Sequence, residues 1–185
     1  MKGPIRVGIV GSRYAAEFHY EAYQRVTGID VEVIGVTSVT KEHREHFAKE
    51  RGIKAFASLD EMLPEVDVVD NCTPGYAHEP VSIAAFDAGK HVVIEKPFTG
   101  YFGPLGDKSF KGNTFPKKMM LDQAVASARR IIVAALKSKK KLCYAENWIY
   151  APAVQKEAEI IAKTKGQILW ALGDQSHSGS GSPAY

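Results

Sequence analysis

Residues 5–16 read Ile-Arg-Val-Gly-Ile-Val-Gly-Ser-Arg-Tyr-Ala-Ala. The first six form a short run rich in β-branched residues, the pattern of a strand buried on both faces. Gly11 breaks that run with a turn. Ala15, Ala16, His19, Ala22, Tyr23 and Val26 then recur at helical spacing. A strand that passes through a tight glycine turn into a helix aims the helix's first N–H groups, and the positive end of its dipole, at the turn. That arrangement suits a pyrophosphate. The stretch therefore reads as the first βα unit of a dinucleotide-binding fold, with Gly11, Ser12, Arg13, Tyr14 and Ala15 as candidate ligand contacts. Against the pattern G-x-G-x-x-G/A, Gly11 is the first glycine and Ala16 fills the third position. Arg13 stands where a second glycine normally lets the backbone approach the pyrophosphate. A turn that serves structure alone is the competing reading.

The rest of the chain repeats the same alternation. Residues 31–37 are a second apolar run, after Gly28 as the stop for the first helix. Residues 40–51 are charged and helical, and Gly52 closes them. Ser58-Leu59-Asp60-Glu61 is a capping-box pattern that opens a short helix stopped by Pro64. Residues 66–70 make the next strand, with Asn71-Cys72-Thr73-Pro74-Gly75 as the loop at its end. A helix over 79–88 leads to a strand over 91–94, followed at once by Glu95-Lys96-Pro97. Residues 98–116 read as a long loop, 118–137 as a long helix, 142–145 as a strand, 152–163 as a helix and 167–172 as a last strand. Strands alternating with helices predict an α/β fold, a Rossmann-type doubly wound parallel sheet. Ligands bind such sheets at the carboxyl ends of the strands, where three of the chemically interesting clusters fall: 11–16, 71–75 and 95–97. The expected domains are residues 1–150, binding dinucleotide, and 151–185, a connecting helix and first strand of an incomplete α+β substrate domain.

Composition narrows the function classes. The 185 residues are 45% hydrophobic and 24% charged, ordinary globular values, with a net charge of only +3. The run Lys137, Lys139, Lys140 and Lys141 complements a helix end and does not suggest nucleic-acid binding. No run reaches the length of a membrane span, so no membrane partner is expected. Cys72 and Cys143 belong to no CxxC pair or disulfide framework and suit a reducing compartment. Met1-Lys2-Gly3-Pro4 leads straight into a strand without a signal-peptide pattern, which makes the cytoplasm the default location.

Taken together, Val7-Gly8-Ile9-Val10-Gly11, then Cys72-Thr73-Pro74 with His78, then Ala88-Gly89-Lys90-His91-Val92 leading into Glu95-Lys96-Pro97, and finally Tyr150-Ala151-Pro152, occur in an order and spacing that resemble the glucose–fructose oxidoreductase/inositol dehydrogenase (Gfo/Idh/MocA) family. The resemblance covers roughly residues 5–172. It implies an NAD(P)-dependent oxidoreductase acting on a sugar or polyol, with an N-terminal dinucleotide domain and a C-terminal substrate domain that often builds an oligomer interface. The family lysine maps onto Lys96, expected to touch the substrate hydroxyl and the nicotinamide ribose. The Asp and His that the family supplies from its second domain have no counterpart before Tyr185. The expectation is a cofactor-binding part that does not turn over by itself, and that forms homo-oligomers only where the second domain is present. A non-catalytic dinucleotide-binding or regulatory module, and a scaffold with a degenerate site, are the alternatives.

Individual residues carry further expectations. Lys96 is a candidate proton-transfer group, against the plainer reading of a surface lysine; Glu95 orients Lys96 or the loop, and both are expected among the cofactor contacts. Thr73, Pro74 and Pro97 are expected beside the cofactor, and His78 is either a helix cap or a ligand contact. The second strand normally ends in an acid that binds the ribose 2′-hydroxyl. Here the chain reads Thr37-Ser38-Val39-Thr40-Lys41. Ser38 and Lys41, assisted by Arg44, suit a 2′-phosphate, which leans the choice between NAD and NADP toward NADP; capping of the next helix is the alternative. His43 and His46 have metal-ligand spacing but sit among Glu42 and Glu45, so no metal is assigned. Trp148 and Tyr150 either line a nicotinamide pocket or pack in a core, and His177 lies in a Gly/Ser-rich tail.

Overall fold

The computed structural model describes residues 3–104, 107 and 109–172. The chain divides into two units, Met1–Ala145 and Glu146–Tyr185. In the first, strands β1 (Ile5–Val10), β2 (Val31–Thr37), β3 (Lys54–Ala55), β4 (Val68–Asn71), β5 (His91–Ile94) and β6 (Leu142–Tyr144) form one sheet in the order β3-β2-β1-β4-β5-β6. Every pairing is parallel. This is the doubly wound order expected above, with its switch point between β1 and β4.

Helices cover both faces because the strands are apolar on both. Val7, Ile9, Val33 and Val36 pack against Ala16 of α1 (Tyr14–Tyr23) and Phe47 and Ala48 of α2 (Lys41–Arg51). On the other face Val10, Val69, Val92 and Ile94 meet Met62 of α3 (Leu59–Met62), Phe86 of α4 (His78–Asp87) and Ile131 of α5 (Lys117–Ser138). Ser58 caps α3 as its spacing predicts: its hydroxyl accepts the Glu61 N–H at 3.2 Å. The Glu61 carboxylate reaches one residue further back than a capping box requires, to the Ala57 N–H at 2.9 Å.

Three expectations are corrected. The first helix ends at Tyr23, not at Gly28, because Gln24, Arg25 and Val26 turn back on the carbonyls of Tyr20, Ala22 and Tyr23. Residues 66–67 lie outside β4, since Pro64 sits in a 3₁₀ turn, Leu63–Glu65, that delays the strand. Residues 167–172 form no strand: among the described residues none offers them a ladder, and Leu169 and Trp170 are exposed. The second unit contains a 3₁₀ turn, Asn147–Tyr150, and α6 (Pro152–Thr164). Trp148 and Tyr150 lie in this unit and are exposed; His177 lies outside the described residues. Within 98–116 the described residues are irregular apart from one turn, Gly112–Thr114. The rings of Tyr101, Phe110 and Phe115 meet there with centroids 5.3–5.6 Å apart.

The sheet also sets a steric limit at Gly35 in β2. A Cβ there would stand 2.6 Å from the Lys54 carbonyl oxygen and would press into the Phe56 ring. Gly35→Ala is expected to destabilise the fold by about 1–3 kcal/mol through overpacking. Urea unfolding followed by circular dichroism checks this, and an unchanged midpoint would contradict the close packing of β2 on Phe56.

Candidate cofactor site

The turn after β1 is set by one residue. Gly11 has φ +118°, and a Cβ there would lie 2.7 Å from the carbonyl oxygen of Cys72. A side chain is thus barred both by the backbone conformation and by the strand beyond it. Two backbone hydrogen bonds lock the crossing: Gly11 N–H donates to the Thr37 carbonyl at 2.8 Å, and Cys72 N–H to the Val10 carbonyl at 2.9 Å. The first N–H groups of α1 have no intrahelical acceptor, and no side chain caps them. Ser12 reaches across to β2, its hydroxyl 2.8 Å from that of Ser38. Arg44 in turn donates to the Ser38 carbonyl at 3.1 Å. Tyr14 points outward, 79% exposed, with its ring stacked on Phe18. Lys41 lies on the exposed side of α2 beside Glu45, at 3.8 Å, so Arg44 is the cation engaged at Ser38. His46 likewise pairs with Glu50 on that exposed face.

The loops after β4 and β5 are tied to each other by buried polar groups. Asn71, fully buried, donates from Nδ2 to the His78 carbonyl and the Ser82 hydroxyl, both at 3.1 Å. Its Oδ1 accepts the Thr73 hydroxyl at 2.6 Å and the Thr73 N–H at 3.3 Å. The ring of His78 is enclosed between the loops, Nε2 2.9 Å from the Thr73 carbonyl oxygen and Nδ1 3.0 Å from that of Pro97. His78 is neither a helix cap nor open to a ligand; it holds the Thr73-Pro74 and Glu95-Lys96-Pro97 loops together. The peptide between Lys96 and Pro97 is cis.

A third cluster lies on the α1 face of the same edge. His19 Nδ1 is 2.9 Å from Asp70 Oδ2, and Nε2 is 3.1 Å from Glu95 Oε1. The side chains are 13%, 0% and 17% exposed respectively. Burial opposes a charge on the ring, but the hydrogen bonds to Asp70, Cys72 and Glu95 outweigh it and push the His19 pKa up from 6.5 to about 12. Glu95 resists burial in the same way: its contact with His19 holds it below the usual carboxylate range. Burial, reinforced by the charge of Asp70, pushes the Cys72 thiol up to about 12, so it stays protonated, its Sγ 3.6 Å from Asp70 Oδ1. Burial also raises the Tyr23 hydroxyl, again with Asp70 adding to it. His19, Asp70 and Cys72 hold their ligand-type atoms within 4.8 Å of one another. The ring answers both carboxylates directly, which accounts for the cluster as an ion-pair network.

Known proteins share the fold that carries this edge. The model of the oxidoreductase family with an NAD-binding Rossmann fold (GFO_IDH_MocA) matches residues 5–103, just over half of the chain. This chain belongs to that family. Among curated relatives, UDP-N-acetylglucosamine 3-dehydrogenase of Acidithiobacillus ferrooxidans is 36% identical over 95 residues, which are 51% of this chain and 29% of that protein. The uncharacterized protein YMR315W of Saccharomyces cerevisiae is 30% identical over 166 residues, 86% of this chain and 41% of that one. The solved structure of the A. ferrooxidans enzyme superposes with a TM-score of 0.67 at 26% identity, covering 85% of this chain and 43% of the other. The chain thus spans less than half the length of these relatives.

In this Gfo/Idh/MocA member the network around His19 was the part least visible in the sequence. His19 appears there only as one position of the α1 stripe that includes Ala16 and Tyr23. A titratable residue on an otherwise sheet-facing stripe is the one signal that could have drawn attention to it; its partners were not readable. Removing the ring leaves the buried Asp70 and the part-buried Glu95 carboxylates unanswered, and breaking such a pair costs about 3–5 kcal/mol. The stabilisation from the imidazolium is fully present below the ring's ordinary value of 6.5 and is lost as pH rises toward about 12. The stability gap between wild type and His19→Gln is therefore expected to be widest near pH 6 and to narrow steadily in alkaline buffer. Thermal melts from pH 6 to 10 check the sign, and a gap that widens with pH would contradict a charged ring.

Proposed function

We propose that the chain is the cofactor-binding part of an NAD(P)-dependent oxidoreductase that takes a hydride from a carbon bearing a sugar or polyol hydroxyl. The observation that carries this reading is the cradle at Gly11, where a Cβ would meet Cys72 and the uncapped N-terminus of α1 follows the end of β1, the strand next to β4. That cradle fits a dinucleotide pyrophosphate lying on the N–H groups of Ser12 to Ala15. Thr73, Pro74 and the Glu95-Lys96-Pro97 loop would flank the nicotinamide half. Bound, the nicotinamide supplies the hydride acceptor. The A. ferrooxidans relative is named for a sugar nucleotide, which supports a sugar-type substrate.

Lys96 is exposed at the end of β5 and is assigned the proton side of the reaction. As the C–H hydride leaves, the hydroxyl proton must leave too, turning C–OH into C=O. Only the neutral amine form of Lys96 has the lone pair to accept this proton, and a positioned group that does so contributes roughly 10²–10⁴-fold. We assign NADP as the preferred cofactor. The end of β2 presents Ser38 and no acid, Arg44 is held there, and a cleft of about 350 Å³ beside Ser12 is lined by Arg13, His43, His46 and Arg51 as well as Glu17 and Glu50. The free thiols Cys72 and Cys143 suit the cytoplasm. Among the described residues no helix is long and apolar enough to cross a membrane.

Fluorescence titration of the chain is expected to show NADPH binding at least as tight as NADH. Gly11→Val is expected to abolish both, and Ser38→Asp to shift preference toward NADH by repelling a 2′-phosphate. Equal NADPH affinity in wild type and Gly11→Val would leave the turn a purely structural feature. In an enzyme that carries this chain with a substrate domain, Lys96→Met is expected to cost on the order of 10²-fold or more in kcat with cofactor affinity retained. Unchanged turnover would return Lys96 to the surface.

A further inference from the structure

Glu95 immediately precedes Lys96, and a carboxylate next to an exposed ammonium is its natural partner. In this structure Glu95 is engaged elsewhere. Its Oε1 lies 3.1 Å from His19 Nε2, and its Oε2 accepts the backbone N–H of Lys96 at 2.9 Å. Behind His19 stands Asp70, buried in β4 and unable to move without disturbing the sheet. None of the ion pairs among the described residues includes Lys96.

We propose that His19 is a positioning residue for Lys96: anchored on Asp70, its ring holds Glu95 against the Lys96 backbone and keeps that carboxylate off the Lys96 side chain, so that Nζ, as the neutral amine, is free to accept the substrate hydroxyl proton. The chain of contact runs from α1 through the ends of β4 and β5 to the loop that carries Lys96. It fixes the backbone at Lys96 while leaving its side chain exposed. A carboxylate with one oxygen on an imidazolium and the other on a backbone N–H has both oxygens engaged and its position fixed. The inference rests on the reading of Lys96 given above.

The test is nuclear magnetic resonance on the 185-residue chain and on its His19→Gln and Glu95→Gln variants. At pH 8 the wild-type His19 ring is expected to carry protons on both nitrogens. In His19→Gln the Lys96 amide is expected to exchange with solvent at least tenfold faster, while Val69 and Val92 amides in the sheet keep their protection. A neutral His19 ring at pH 8, or unchanged Lys96 exchange, would overturn the proposal. Should His19→Gln not fold, Glu95→Gln decides: with one acceptor's charge gone, the His19 ring must lose its second proton at lower pH, and an unchanged titration would show that Glu95 is not held by it. These readouts need no turnover. If they come out as expected and Lys96→Met keeps full activity, the linkage stands and the role of Lys96 falls.

Discussion

At Gly11 the backbone leaves β1 with φ +118°, and the space where a Cβ would sit is taken by the carbonyl oxygen of Cys72, 2.7 Å away. Much of the carboxyl edge follows from that contact. It brings the first turn of α1 against the end of β4, and its two backbone hydrogen bonds join β2, β1 and β4 at one level. The switch point of the sheet lies between β1 and β4, so the helix start opens onto the crevice where such sheets take their ligands.

The buried polar residues are gathered at the same edge. Among the described residues they are Thr37, Asp70, Asn71, His78 and Ser82. Thr37, Asp70 and Asn71 lie at strand ends; His78 and Ser82 of α4 meet Asn71, while Asp70 meets His19 of α1. Below them the two faces of the sheet are apolar. Burying such groups is costly unless each finds a partner, and here Asn71 bonds three residues and His78 bridges two loops. The lower sheet supplies apolar burial, and the upper edge supplies a rigid rim that aims the loops.

Much of this was legible in the sequence, for physical reasons specific to each element. β-branched runs bounded by glycine marked β1 and β2, and Ser58 with Glu61 marked the start of α3. The family spacing located the loops at 71–75 and 95–97. What was not legible depends on partners distant in sequence. Gly28 looked like the stop of α1, yet local turns after Tyr23 ended the helix earlier. Residues 167–172 have strand composition, but composition does not provide a ladder. His78 looked equally able to cap or to bind, and only the approach of Pro97 showed that its ring is enclosed. The His19 network joins residues 51 and 76 positions apart, beyond the reach of any periodicity.

The central claim is that this edge binds a dinucleotide through the Gly11 turn. Amide spectra of the isotope-labelled chain, recorded during titration with NADPH, test it most directly. The account predicts the largest shifts at Gly11, Ser12, Tyr14 and Ala15, with further shifts at Ser38, Thr73 and Lys96. A spectrum that does not move, or shifts confined to α6 or to the loop around Tyr101, would contradict it.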